Sequence, residues 1–270
     1  MDEALVGPDW IAEHLDDPTV RLVEVDVSPA AYAEGHIPGA TLWNAYGDLR
    51  GPGYVPIGTA GFAALLSRSG LTPEDTIVCY GYGAHLGYWL MKAYGHREAR
   101  LMDGSRERWL GAGRSWSVET PAPEPTAYAL ADGDPRLCVS RHAVEAMIGT
   151  DEVILDMRSQ AEYVGDYFWP SGATEDTGRA GHVPGSVHLP IEELRHDDGT
   201  FRSADEMRQA LLERGITPDQ RIVSYCTIGN RASMAWFALT HLLGYPDAGV
   251  YYGSWAEWGS APDTPVDVAS

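Results

Sequence analysis

The sequence predicts an α/β protein of two homologous domains, each a mainly parallel sheet flanked by helices. Three observations predict it: an internal repeat with a period near 145 residues, short β-rich runs alternating with helical periodicity, and a proline-rich seam between the copies.

Gly35-His36-Ile37-Pro38-Gly39-Ala40 matches Gly181-His182-Val183-Pro184-Gly185-Ser186 at a shift of 146 residues. Gly70-Leu71-Thr72-Pro73 matches Gly215-Ile216-Thr217-Pro218, and Ile77-Val78-Cys79-Tyr80 matches Ile222-Val223-Ser224-Tyr225, both at a shift of 145. A period this long exceeds any solenoid unit, so each copy is expected to be a complete domain with its own core. In the second copy, β-rich runs at 152–156 and 221–225 alternate with helical patterns at 204–214 and 232–243, the order of a parallel α/β sheet. The seam falls in Glu119-Thr120-Pro121-Ala122-Pro123-Glu124-Pro125, where alternating prolines favour an extended chain. Residues 1–120 are assigned to an N-terminal domain, 121–130 to a linker and 131–270 to a C-terminal domain.

Composition excludes several classes of function. Of the 270 residues, 44% are hydrophobic and 21% charged, enough apolar surface for full cores. Nineteen basic against 39 acidic residues give a net charge of -20, which opposes binding to nucleic acid or to an anionic membrane. An anionic substrate must therefore be attracted locally, by backbone amides and one or two arginines. Three well-separated cysteines, Cys79, Cys138 and Cys226, make neither a disulfide framework nor a zinc site. A reducing compartment, no membrane span and no targeting leader are expected, hence a cytoplasmic protein.

The chemistry is expected in Cys226-Thr227-Ile228-Gly229-Asn230-Arg231, directly after a buried strand and before a helix. There backbone N–H groups converge on the positive end of the helix dipole, which favours a thiolate. Gly229 lets the chain curl with its amides inward, and Arg231 adds a cation at the far end. A lone cysteine ending a strand is more often an inert small hydrophobe, but the glycine, the arginine and the strand-to-helix position together favour a reactive one. The shift of 145 sets Gly81 opposite Cys226, so the first domain lacks the nucleophile, and Cys79 and Cys138 are expected in the core.

The sequence resembles the tandem rhodanese family, on the Cys-x-x-Gly-x-Arg loop, the Gly-His-x-Pro-Gly turn in both copies, Leu155-Asp156-Met157-Arg158-Ser159, and Tyr252-Gly253-Ser254-Trp255-Ala256-Glu257-Trp258. The resemblance covers essentially the whole chain. It implies a thiosulfate sulfurtransferase that carries sulfur as a persulfide on Cys226, taken from a small anionic donor and passed to cyanide or a thiol, with no metal or other cofactor. A monomer is expected. Persulfide charge falls to the 227–231 amides, and Arg231 to the sulfonate end of the donor.

Many relatives place cations at the second or third loop position, or six residues after the aspartate; here these are Thr227, Ile228 and Glu162. A replacement cation is sought in Arg179, within an insertion at roughly 168–181 that accounts for the shift of only 130 from Asp26 to Asp156. Asp156 and Arg158 are expected as an ion pair beneath the loop, Trp255 and Trp258 as interdomain packing, and His36 and His182 as ties of their turns. Three other readings remain. Mercaptopyruvate enzymes tend to carry Cys-Gly-x-Gly. Cysteine phosphatases resemble Cys-x5-Arg, whereas Arg231 closes Cys-x4-Arg and position 232 is alanine. A noncatalytic persulfide-binding module is the third.

Overall fold

The computed structural model describes residues 4–169 and 178–268. It divides into one unit of Met1–Gly51, Ile57–Asp134 and Asp197–Thr200, and a second of Pro52–Pro56, Pro135–His196 and Phe201–Ser270.

The first unit runs β1 (Leu5–Val6), α1 (Pro8–Glu13), β2 (Val20–Asp26), α2 (Ala30–Glu34), β3 (Thr41–Asn44), α3 (Thr59–Arg68), β4 (Thr76–Tyr80), α4 (Ala84–Ala93), β5 (Ala99–Met102) and α5 (Arg106–Gly111). Its strands form one five-stranded sheet in the order β1-β5-β4-β2-β3, every neighbour parallel. The second unit repeats the series as β6 (Cys138–Val139), α6 (Arg141–Met147), β7 (Val153–Asp156), α7 (Gln160–Val164), β8 (Val187–His188), α8 (Ala204–Leu212), β9 (Ile222–Tyr225), α9 (Asn230–Phe237), β10 (Ala248–Tyr251) and α10 (Ser254–Trp258). Its order, β6-β10-β9-β7-β8, is the same arrangement, again parallel throughout. This is the fold class the sequence predicts.

Local chemistry explains the elements. Strands β7, β9 and β10 are buried along their whole length, as parallel strands covered on both faces must be. Helices α7 and α8 start with reciprocal capping boxes, Ser159 with Glu162 and Ser203 with Glu206, which satisfy N–H groups otherwise orphaned at the helix start. The helical stretch after Cys226 leaves α-geometry earlier than its apolar spacing suggests, passing through a π-type turn at Ala238–Leu242 before Gly244 at φ 74°. No helix or strand occurs between 118 and 134, and Thr126 N–H bonds Ser67 O at 2.9 Å, tying this stretch to the end of α3.

Strand register corrects one expected equivalence. Glu24 pairs with Tyr80 across β2 and β4, and Asp156 with Tyr225 across β7 and β9. Tyr80 and Tyr225 correspond, so the counterpart of Asp156 is Glu24 rather than Asp26, at a shift of 132. The insertion is then 14 residues, of which 170–177 lie outside the described residues.

Candidate active site

In the second sheet the chain steps outward from β7 to β8 on one side and from β9 to β10 on the other, so the strand order reverses between β7 and β9. Sites in open parallel sheets form outside the carboxyl ends of strands at such a point. Cys226 follows β9 there, and Gly229, in the left-handed region at φ 91°, caps α9 three residues later. This turn aims the Gly229 N–H at Cys226 Sγ, 3.1 Å away. The start of α10 holds the loop from behind: Cys226 N–H donates to Ser254 Oγ at 3.2 Å, while Trp255 and Ala256 N–H donate to the carbonyls of Cys226 and Thr227, both at 2.9 Å. Ser254 is fully buried with a positive φ of 51°, an unfavourable conformation for serine. Its hydroxyl bonds Tyr251 O at 2.8 Å as well as accepting from Cys226, which fixes it there.

Gly229 is required twice over. A Cβ at that position would lie 3.2 Å from Tyr252 O, and the backbone is left-handed. Gly229→Ala is expected to lower the unfolding free energy of this unit by about 1–2 kcal/mol and to weaken sulfur loading. Chemical denaturation beside a loading assay checks this; a variant with wild-type stability would show that the turn relaxes freely.

Sequence reasoning missed the partner of Arg231. Glu162, on α7, is completely buried. It takes Arg231 in a two-pronged pair, Nη1 to Oε2 and Nη2 to Oε1, both at 2.8 Å. It also accepts from the Thr227 hydroxyl at 2.5 Å, and from the N–H and hydroxyl of Ser159 at 3.0 and 2.9 Å. Arg231 Nη2 bonds Thr227 Oγ1 as well, at 2.5 Å. One carboxylate therefore braces two side chains of the loop, Thr227 and Arg231. Burial works against its charge, but Arg231, then Thr227 and the Ser159 N–H, outweigh it and hold Glu162 down at about 2.

This depression has a sign. A carboxyl whose folded value lies below its ordinary one near 4.5 stabilises the fold above that value, and the contribution is lost as pH falls toward about 2. The stability gap between wild type and Glu162→Gln is expected to reach about 3 kcal/mol near neutral pH and to close on acidification. Melting temperatures measured across that range test it; a pH-independent gap would contradict the pairing.

Beneath the loop, Asp156 and Arg158 are both fully buried and pair at 2.6 Å. Arg158 Nη2 also donates to Gly181 O at 2.7 Å, and the guanidinium lies 4.4 Å from the Trp255 ring and 5.4 Å from Tyr225. Tyr225 hydroxyl donates to Asp156 at 2.5 Å and accepts from Val183 N–H at 3.2 Å. The first unit builds the same device from other chain positions. Glu24 pairs with Arg106 of α5, the Ile37 N–H donates to Tyr80 hydroxyl at 3.0 Å, and Arg106 lies over Trp116 at 4.8 Å.

Three expected roles are revised. Arg231, expected to grip the donor, has both terminal nitrogens committed to Glu162 and Thr227. Arg179, offered as a replacement cation, bonds the Thr264 carbonyl at 2.7 Å, the Thr264 hydroxyl at 2.6 Å and the Ala261 carbonyl, so it stitches a loop. Trp255 and Trp258, expected between domains, are buried in the second unit's own core with Val139, Val223 and Tyr251. They are large apolar rings whose N–H groups find the carbonyls of Arg179 at 3.1 Å and Pro265 at 2.8 Å. His36 and His182 tie their turns, bonding Tyr32 O at 2.9 Å and Tyr163 O at 2.8 Å and stacking on those tyrosines. Cys79 is fully buried and Cys138 half-buried; burial raises both thiols, Cys138 to about 11. Ile228 is half-buried and Asn230 begins α9.

A buried cysteine in the turn between the carboxyl end of a parallel strand and the next helix, in a duplicated α/β chain, points to the class of rhodanese-fold sulfurtransferases. A Rhodanese-like domain model matches residues 7–112 and 140–261, and the chain belongs to that family. It is 39% identical over 98% of its length to the sulfur carrier protein TtuD of Thermus thermophilus, spanning 96% of that protein. It is 37% identical, over 98% of this chain and 96% of the relative, to a Haloferax volcanii protein provisionally named thiosulfate sulfurtransferase. Among solved structures, the anaerobic ergothioneine biosynthesis enzyme of Chlorobium limicola superposes with a TM-score of 0.88 at 25% identity, over 99% of this chain and 70% of that one. No described helix is long and apolar enough to cross a membrane.

Proposed function

We propose that the protein transfers sulfane sulfur through a persulfide on Cys226, with thiosulfate among its donors and cyanide or a thiol as acceptor. The observation that carries this reading is the Gly229 N–H directed at Cys226 Sγ from 3.1 Å, in the turn that opens α9. The Cys226 thiolate attacks the outer sulfur of thiosulfate; the new S–S bond forms as the old one breaks, and sulfite leaves with the electron pair. The acceptor then attacks the outer sulfur of the persulfide and returns the thiolate, so one difficult transfer becomes two easier ones. The turn's dipoles stabilise the terminal sulfur's charge, while Glu162, Thr227 and Arg231 keep the turn in shape. The relatives' names support the donor class. Three free thiols and the acidic surface fit a reducing cytoplasm.

Mass spectrometry after thiosulfate treatment is expected to show one added sulfur on the peptide carrying Cys226, removed again by cyanide. An unmodified Cys226 with an intact fold would sink the proposal. The name of TtuD favours a second reading, in which loaded Cys226 hands its sulfur to a protein rather than to a small acceptor. Loading without multiple turnover on cyanide would select it.

A further inference from the structure

Among the described residues, two that are not glycine have a left-handed φ: Tyr54 at 63° and Ser254 at 51°. They are distant in the chain, yet they lie in elements that touch. Ser254 opens α10, and the short 3₁₀ turn Pro52–Tyr54, which belongs to the second unit, packs against that helix. The first three residues of α10 support the cysteine turn from behind, Ser254 by accepting the Cys226 N–H and Trp255 and Ala256 by donating to the carbonyls of Cys226 and Thr227. Glycine adopts a left-handed φ without steric cost, and Gly53 beside Tyr54 does so at 76°. Tyrosine does not, so its presence at the next position needs a reason that the surroundings supply. What tyrosine adds is a ring. It is half-buried, with its centroid 6.0 Å from that of Trp169, and Trp169 packs on the core cluster that contains Trp255 and Trp258 of α10. Trp169 stands in the insertion that sets the second copy apart from the first.

We propose that Tyr54 is a positioning residue for Cys226: its ring, set against Trp169, clamps α10, and α10 holds the cysteine turn in the shape that aims the Gly229 N–H at Sγ. This rests on the Cys226 persulfide reading and adds to it a residue from the copy that lacks the nucleophile. Tyr54 acts through the helix and takes no part in binding the donor. Small displacements of a reacting atom are costly in rate, so a clamp one helix removed from the sulfur has leverage on the chemistry.

The test is single-turnover loading of Cys226 with thiosulfate in the full chain, for the wild type, Tyr54→Ala, Tyr54→Gly and Tyr54→Phe, with circular dichroism as the check on folding. Tyr54→Ala is expected to lower the limiting loading rate about tenfold while the half-saturating thiosulfate concentration moves less than about threefold, the mark of misplaced chemistry rather than lost binding. Tyr54→Gly relieves the backbone but still lacks the ring, so it is expected to be as slow as Tyr54→Ala. Tyr54→Phe keeps the ring and is expected to recover most of the lost rate. Hydrogen exchange in the 226–231 peptide is expected to quicken in Tyr54→Ala, a change that a role confined to the Pro52–Tyr54 turn would not produce. Wild-type loading by folded Tyr54→Ala or Tyr54→Gly overturns the proposal. So does a loss confined to the half-saturating concentration, which would make Tyr54 a donor contact. Should Tyr54→Ala not fold, Trp169→Ala removes the other ring of the pair and must slow loading likewise; undiminished loading there is equally fatal. If the wild type itself gains no sulfur, the persulfide reading falls. If it loads and the Tyr54 variants load as fast, only the clamp is lost.

Discussion

Cys226→Ser is expected to abolish sulfur transfer, lowering the rate by about 10⁴-fold or more while the fold is retained. Serine fills nearly the same volume and still accepts the Gly229 N–H, so the turn and α9 persist. What disappears is a nucleophile able to form an S–S bond, and no hydroxyl replaces it. Neither other thiol can compensate: Cys79 is sealed in the first unit's core, and Cys138 lies on β6 with its thiol raised to about 11. The check is loading followed by mass spectrometry, with circular dichroism as control. Substantial residual transfer by Cys226→Ser would mean that the chemistry takes place elsewhere.

The second large effect is on stability. Arg158→Ala is expected to destabilise the second unit by about 3–5 kcal/mol, because it leaves Asp156 charged and without its counter-ion in a dry interior. Burial alone would discourage charge on Arg158, but Asp156 reverses that and raises the guanidinium above its ordinary value. The ring of Trp255 over the guanidinium loses its contact as well. The double replacement Asp156→Ala with Arg158→Met should cost less than Arg158→Ala alone, since no charge is stranded. Denaturant unfolding followed by tryptophan fluorescence distinguishes these outcomes. A loss below about 1 kcal/mol for Arg158→Ala would show that water reaches the pair.

The duplication and the cysteine loop were legible in the sequence because their signals are short-range. The Gly-His-x-Pro-Gly turns, and a glycine three residues after Cys226, report backbone geometry that only a few neighbours determine. The carboxylate pairs were harder. Asp26 looked like the counterpart of Asp156, but Glu24 and Asp26 lie two residues apart on the same face of β2, so alternation cannot choose between them and only the register with Tyr80 identifies Glu24. Its cation, Arg106, lies 82 residues away. Ser159 and Glu162 have the spacing of a capping box, and that pattern marks only a helix start. Nothing local says that the same carboxylate also holds Arg231, 69 residues further on. Arg179 was misjudged because a cation near a site looks available until its acceptors, Thr264 and Ala261, are known.

The tight bend at Gly81 limits what protein engineering can do with the first copy. Its φ is 95°, and a Cβ there would approach the Val25 carbonyl to 2.8 Å and the Glu24 side chain to 3.1 Å. A single Gly81→Cys exchange therefore meets a steric wall before any question of reactivity arises. Installing a second reaction centre would require transplanting the whole bend, together with the acidic strand residue behind it.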